Sequence, residues 1–273
     1  MPFKIAPTRH HLLRRSAVAL AIAAAAGSAS AALPQFTLDP SAAGLGSATG
    51  PVITADNILV SDYSTVAYTS TGGFTESGLL SFSGAQLAGT TLNIPGLNSS
   101  YGLYVQFTAA GTTSAGDPRQ VPASGSFTSL DYTLYGYNGL ASFAVSGTGS
   151  PTTTAANPVA LASGSLIEGS VSTFPSLDGS TFTPSAAADL TFNITPGEQG
   201  FFASPSPFYN IALTAFTNTT SEVEAFPGGF RISQGGGALN FTSAVPEPET
   251  YALLLGGLAC LGFVAQRRRT QAD

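Results

Sequence analysis

The stretch YGLYVQFTAAG, residues 101–111, places Tyr101, Leu103, Val105 and Phe107 on one side and Gly102, Tyr104, Gln106 and Thr108 on the other. Successive side chains of an extended chain point to opposite faces, so a period of two marks a half-buried β-strand. LTFNIT repeats it with Leu190, Phe192 and Ile194 in phase. Further strands are expected at 65–69, 78–83, 126–137, 141–146, 159–167 and 209–217, with Gly, Pro, Ser and Asn between them. In GGFRISQGGGALNFT, Phe230 and Ile232 precede three glycines and Leu239 and Phe241 follow them, which reads as a hairpin closed by a glycine-rich turn. No stretch between the two chain ends reads as a helix. Many short strands with such turns predict an all-β fold: a single β-sandwich-like domain of short antiparallel strands. Residues 112–125 and 147–158 read as longer loops, the second as a surface loop rather than a seam between halves. A transmembrane barrel needs lipid-facing strands of about ten residues and aromatic girdles; shorter strands rich in Gly and Ser argue against it.

The two ends set the compartment. Lys4, Arg9, Arg14 and Arg15 precede an apolar run at 17–26, and Ala29 and Ala31 then supply the two small positions of a cleavage site. This order describes a secretory signal peptide over residues 1–32, and the run is too short for a membrane anchor, which takes about 20 residues. At the far end, residues 251–265 carry no charge. As a helix this segment would reach about 22 Å, short of a hydrocarbon core of roughly 30 Å, although flanking arginines snorkel and bilayers thin. Arg267, Arg268 and Arg269 follow and should stay cytoplasmic. Pro246, Glu247 and Pro248 then lie outside, where two prolines keep the tripeptide extended, unpaired and open to a processing enzyme.

Between the ends, residues 33–244 hold twelve acids and two bases, Arg119 and Arg231, a net charge of −10 against −6 for the whole chain. Nucleic acid and anionic lipid, which need basic patches, are not expected as direct partners. Both histidines, the one cysteine (Cys260) and the one lysine lie in the terminal segments. The exported part therefore has no disulfide and none of the His, Cys or Lys chemistry on which serine triads, His-based zinc sites and Schiff bases draw. Two of its carboxylates would still suffice for a glycoside hydrolase, but the acids sit singly beside turn residues, so no enzyme and no cofactor are expected. Asp56, Asn57 and Asp62 are close enough in sequence to consider calcium, but form no D-x-[DN]-x-[DN]-G loop. Tyr132, Tyr135 and Tyr137 are candidate sugar contacts, the last two on one strand face. Four N-x-[ST] sequences, at Asn98, Asn193, Asn218 and Asn240, read as accidents of a Thr-rich composition.

The tripeptide, apolar segment and arginine cluster, in that order, resemble the PEP-CTERM sorting signal over residues 245–273. The resemblance implies processing by an exosortase: the precursor is held transiently in the inner membrane through 251–265, and the mature form stays at the cell surface or in the extracellular matrix. LNSSYGLYVQFTAAGT and GFFASPSPFYNIALTAFTNTT, with FTLDPSAAG and GGFRISQGGGALNFTSAVPEP, resemble the flocculation-associated PEP-CTERM proteins. That similarity implies a non-catalytic exported protein promoting cell aggregation with extracellular polysaccharide. A lectin-like module is the alternative, and a carboxylate-based matrix hydrolase the next.

Overall fold

Eight long strands carry the alternating pattern: β1 (Asn57–Tyr68), β2 (Gly73–Leu87), β3 (Tyr101–Thr113), β4 (Ala123–Asn138), β5 (Val159–Pro175), β6 (Phe182–Thr191), β7 (Ile211–Thr217) and β8 (Gly229–Thr242). Each pairs antiparallel with the next along the chain. β8 then returns to pair with β1, from Phe230 opposite Val66 to Leu239 opposite Ile58. The sheet is therefore closed: an up-and-down barrel, which leaves its long strands no free edges. Short segments at Thr90–Thr91, Asn193–Ile194 and Val223–Phe226 flank it and complete an eleven-stranded sheet. These features come from a computed structural model that describes residues 33–47, 50–69, 72–114 and 118–243. The all-β antiparallel domain read from the sequence is what forms, and the two faces expected to pack as a sandwich are opposite walls of one closed sheet.

Alternation sorts the side chains by wall. Val60 and Val66 of β1, Phe74 and Leu80 of β2, Leu103 and Val105 of β3, and Leu130 and Leu134 of β4 point inward and are buried. Outward positions are Thr75, Gln106, Thr108, Ser126, Asp131, Ser163 and Ser165. An apolar inside and a hydroxyl-rich outside are the reverse of a lipid-facing barrel. The strands are longer than expected, up to 17 residues in β5. Apolar-only windows clip strands whose inward positions include small or polar residues.

β8 corrects the expected hairpin. It is one continuous strand with a bulge between Ser233 and Gly235, where Gln234 adopts φ +65°. The extra residue shifts the phase, so Phe230 and Ile232 on even numbers and Leu239 and Phe241 on odd numbers all face inward. The glycines are there for close approach rather than for a turn. A Cβ on Gly237 would stand 2.2 Å from Phe216 Cδ1, and one on Gly235 would stand 1.9 Å from Asn218 Oδ1.

One end of the barrel is plugged. Phe36–Leu38 pairs with Ile53–Ala55 on one side and Phe202–Ser204 on the other. Beneath this small sheet Phe36 meets Phe241 edge-on at 5.0 Å, Phe192 meets Phe202 at 5.2 Å, and Phe208 meets Phe241 at 5.2 Å. In SPSPFYN, Phe208 and Tyr209 thus belong to the edge of the core, and the following strand starts at Ile211. Asn138 at the end of β4 ties the plug down from both of its amide atoms: Oδ1 accepts from Gly46 N at 2.8 Å and Nδ2 donates to Gly44 O at 2.9 Å. At the opposite end lie the strand termini through which β1 is followed by β2, β3 by β4, β5 by β6 and β7 by β8.

Candidate functional site

Toward that hairpin end the interior is incompletely filled. A cavity of about 120 Å³ is walled by Phe74, Leu80, Phe107, Phe127 and Leu130, and reaches Tyr68, Thr113 and Ser114 at the strand ends. Closed eight-stranded barrels are just wide enough to be filled by side chains or to hold one small ligand, and here side chains fill most of the interior and leave this space.

Two carboxylates interrupt the apolar wall. Asp62 stands on β1, opposite Leu80 of β2 and Gly235 of β8, and is 4% exposed. Glu76 stands on β2 opposite Val66 and also lines the cavity. Ser64, fully buried, lies two positions along β1 from Asp62; its hydroxyl donates to Asp62 Oδ2 at 3.3 Å and also hydrogen-bonds Glu76. Asp62 Oδ1 has no hydrogen-bond partner. Burial first, and then the neighbouring Glu76 charge, holds the Asp62 carboxyl well above the usual range, against the Ser64 hydrogen bond. Burial likewise pushes Glu76 up to about 7, again opposed by Ser64. The pair therefore retains a proton near neutral pH.

Sequence reading missed this pair because the expected strands began at 65 and 78, just beyond each acid. The signal was present: Asp62 is in phase with Val60 and Val66, and Glu76 with Phe74 and Leu80. An acid in the apolar phase of a strand is an acid placed indoors. Asn218, read as an accident of composition, is 3% exposed at the end of β7 and also lines the cavity. Its Nδ2 donates to Pro184 O at 3.4 Å, while its Oδ1 has no partner.

The three candidate sugar-contact tyrosines do not form one platform. Tyr132 points inward, 6% exposed, with its hydroxyl donating to Thr191 O at 2.9 Å. Burial raises its pKa. Tyr135 and Tyr137 share the outer face, as read from the sequence. There Tyr104 stacks on Tyr135 at 5.1 Å and lies 5.9 Å from Tyr137. The 147–158 loop and the short pairing of Phe143–Ala144 with Thr152–Thr153 fold back on this wall: Phe143 stacks on Tyr63 at 5.9 Å and Thr65 Oγ1 donates to Gly149 O at 2.7 Å. Tyr137 is consequently 2% exposed, leaving Tyr135 as the accessible ring of the three.

The residues considered for calcium are also separated. Asp56 precedes β1 and accepts from Ala88 N through Oδ2 at 2.7 Å, Asn57 Nδ2 donates to Gln86 Oε1 at 2.8 Å, and Asp62 lies six residues further along an extended strand, about 20 Å away. Among the described residues no group of three or more His, Cys, Asp or Glu converges on a metal-sized site.

Ala29, Ala31, Pro246, Glu247, Pro248, Arg267, Arg268 and Arg269 lie outside the described residues. For the tail a comparison decides. Residues 244–269 match the PEP-CTERM protein-sorting motif. The chain is an exosortase substrate by this signal: an exported protein whose precursor is anchored in the membrane at its C-terminus. No curated protein and no solved structure matches the chain.

Proposed function

We propose that this PEP-CTERM protein is a non-catalytic cell-surface or matrix component that promotes cell aggregation with extracellular polysaccharide. The observation that carries the reading is the sorting signal at 244–269, which sends the domain outside the cell. Support comes from the resemblance of residues 97–112 and 200–220 to the PepA-type flocculation proteins, and from the barrel's outer wall. That wall offers hydroxyls and few charges for contact with neutral sugar faces, whereas a surface at net charge −10 is ill suited to ion pairing with acidic polymers. Tyr135 keeps a lectin-like variant of this reading in play, since its ring is accessible beside Tyr104. A hydrolase is less well supported. Asp62 and Glu76 face a small apolar cavity, too tight for two sugar rings flanking a glycosidic bond.

Deleting the gene in its host tests the proposal, with settling of cells and retained polysaccharide scored separately. Dispersed cells that retain normal amounts of polysaccharide are the expected result. Unchanged settling overturns the reading.

A further inference from the structure

We propose that the barrel cavity binds a primary ammonium ion carrying a small apolar body, held by the Asp62 and Glu76 carboxylates and the side-chain oxygen of Asn218. The wall of this site has a surplus of acceptors. Asp62 Oδ1 and Asn218 Oδ1 each belong to a cavity-lining residue more than nine-tenths buried, and neither accepts a hydrogen bond from the protein. Leaving a buried acceptor unpaired costs about 1–3 kcal/mol, more for a charged one. Ser64 brings one hydroxyl proton to two carboxylates, so it serves one of them at a time. The Asn218 amide donor is already engaged with Pro184 O. Arg231 is held outside the barrel by an ion pair with Glu224 and a hydrogen bond to Gly147 O.

A ligand that completes this wall must therefore bring donors and positive charge. A primary ammonium brings three N–H groups and one charge, and has no acceptor to repel the carboxylates. Its attached body meets Phe107, Phe127 and Leu130, where hydrocarbon is favoured and ring faces attract a cation. The size follows from the space: an apolar cavity of about 150 Å³ accepts benzene, so about 120 Å³ suits a body no larger than one benzene ring, with the ammonium-bearing carbon reaching toward the carboxylates. Entry is from the hairpin end, where Tyr68 and Ser114 line the same space. This inference is independent of the aggregation reading.

Benzylammonium tests it, against benzyl alcohol as the uncharged isostere, by titration calorimetry on the exported protein purified from its cells. At about pH 8, above the Glu76 value, one equivalent should bind saturably, with benzyl alcohol more than about tenfold weaker. Asp62→Asn and Glu76→Gln should each weaken benzylammonium by more than about tenfold and benzyl alcohol little. Affinity should fall between about pH 8 and pH 6 as the carboxyl pair takes up a proton. The other titratable groups near this wall are Tyr68, Tyr132, whose hydroxyl is engaged with Thr191 O, and Glu222, which accepts from Thr219 N. The wild-type comparison stands even if a variant fails to fold. Equal binding of the alcohol and the ammonium overturns the proposal, as does no saturable binding. Displacement of benzylammonium by calcium chloride, with calcium affinity lost in Asp62→Asn, overturns it in favour of a divalent cation.

Discussion

The Ser64 hydroxyl donates to Asp62 Oδ2 across 3.3 Å in the middle of a barrel wall that is mostly apolar. One neutral donor does not compensate the burial of two carboxylates, and both titrate above their ordinary range. A carboxyl raised in the folded state binds protons that the unfolded chain has already lost. Stability therefore falls as pH rises from the ordinary carboxylate range through about 7, and is recovered on acidification over the same window. For Glu76 the difference amounts to roughly 3 kcal/mol at most. Urea unfolding at intervals from pH 5 to pH 8.5 should show this slope, and Glu76→Gln should flatten much of it while stabilising the protein at the alkaline end. A slope of the opposite sign would contradict the buried pair.

Close approach along β8 gives a second prediction. Gly237→Ala sets a Cβ against the Phe216 ring and should cost about 1–3 kcal/mol, as should Gly235→Ala against Asn218. Gln234→Gly, at the bulge with positive φ, should remain within about 1 kcal/mol of the wild type. Urea midpoints at constant m-value check all three. Were these glycines in a hairpin turn facing solvent, the alanine variants would be nearly silent.

The tyrosines separate in a third experiment. Tyr132→Phe removes the donor to Thr191 O and should lower stability by about 1 kcal/mol without altering polysaccharide binding. Tyr135→Ala should leave the fold intact. If a sugar stacks on the outer wall, it should reduce co-sedimentation with the host polysaccharide severalfold. Undiminished co-sedimentation of Tyr135→Ala removes the lectin-like variant.

The strand pattern was legible because outward residues are polar and inward residues apolar over most of each strand. Barrel closure was not legible, since pairing of β8 with β1 joins segments some 170 residues apart and leaves no local mark. The glycine run misled for a physical reason: a bulge that reverses the phase looks, in sequence, like the turn between two strands. The acid pair was hidden by its own polarity: the strands expected at 65–69 and 78–83 start after Asp62 and Glu76, because an acid in the inward phase breaks the apolar alternation. The tail needed no structure. Its order of Pro-Glu-Pro, apolar segment and arginines is read directly.

That tail supplies a fourth prediction. Intact mass of the protein released from cells should lack everything from Tyr251 onward, and Glu247→Ala should accumulate as membrane-bound precursor. A released protein with its full tail would contradict processing at this motif.

A fifth concerns conditions. Cys260 is the one cysteine and lies in the tail, so reductant should not shift the Tm of the exported form. Polysaccharide co-sedimentation should survive EDTA, and should hold or rise with monovalent salt as repulsion at net charge −10 is screened. Binding lost in EDTA and restored only by calcium would make the scattered carboxylates the contact surface.

β8 runs from the hairpin end to the plug and finishes at Thr242, so the tether to the membrane starts beside the plug. Only eight residues, 243–250, separate that point from the apolar segment, a reach of less than about 30 Å. The cavity is lined toward the other pole, by Tyr68, Thr113 and Ser114 among others. Removing the tail therefore takes away chain that follows the plug end of β8 and none of the described residues that wall the cavity, so the precursor and the released protein share one complete set of those wall residues.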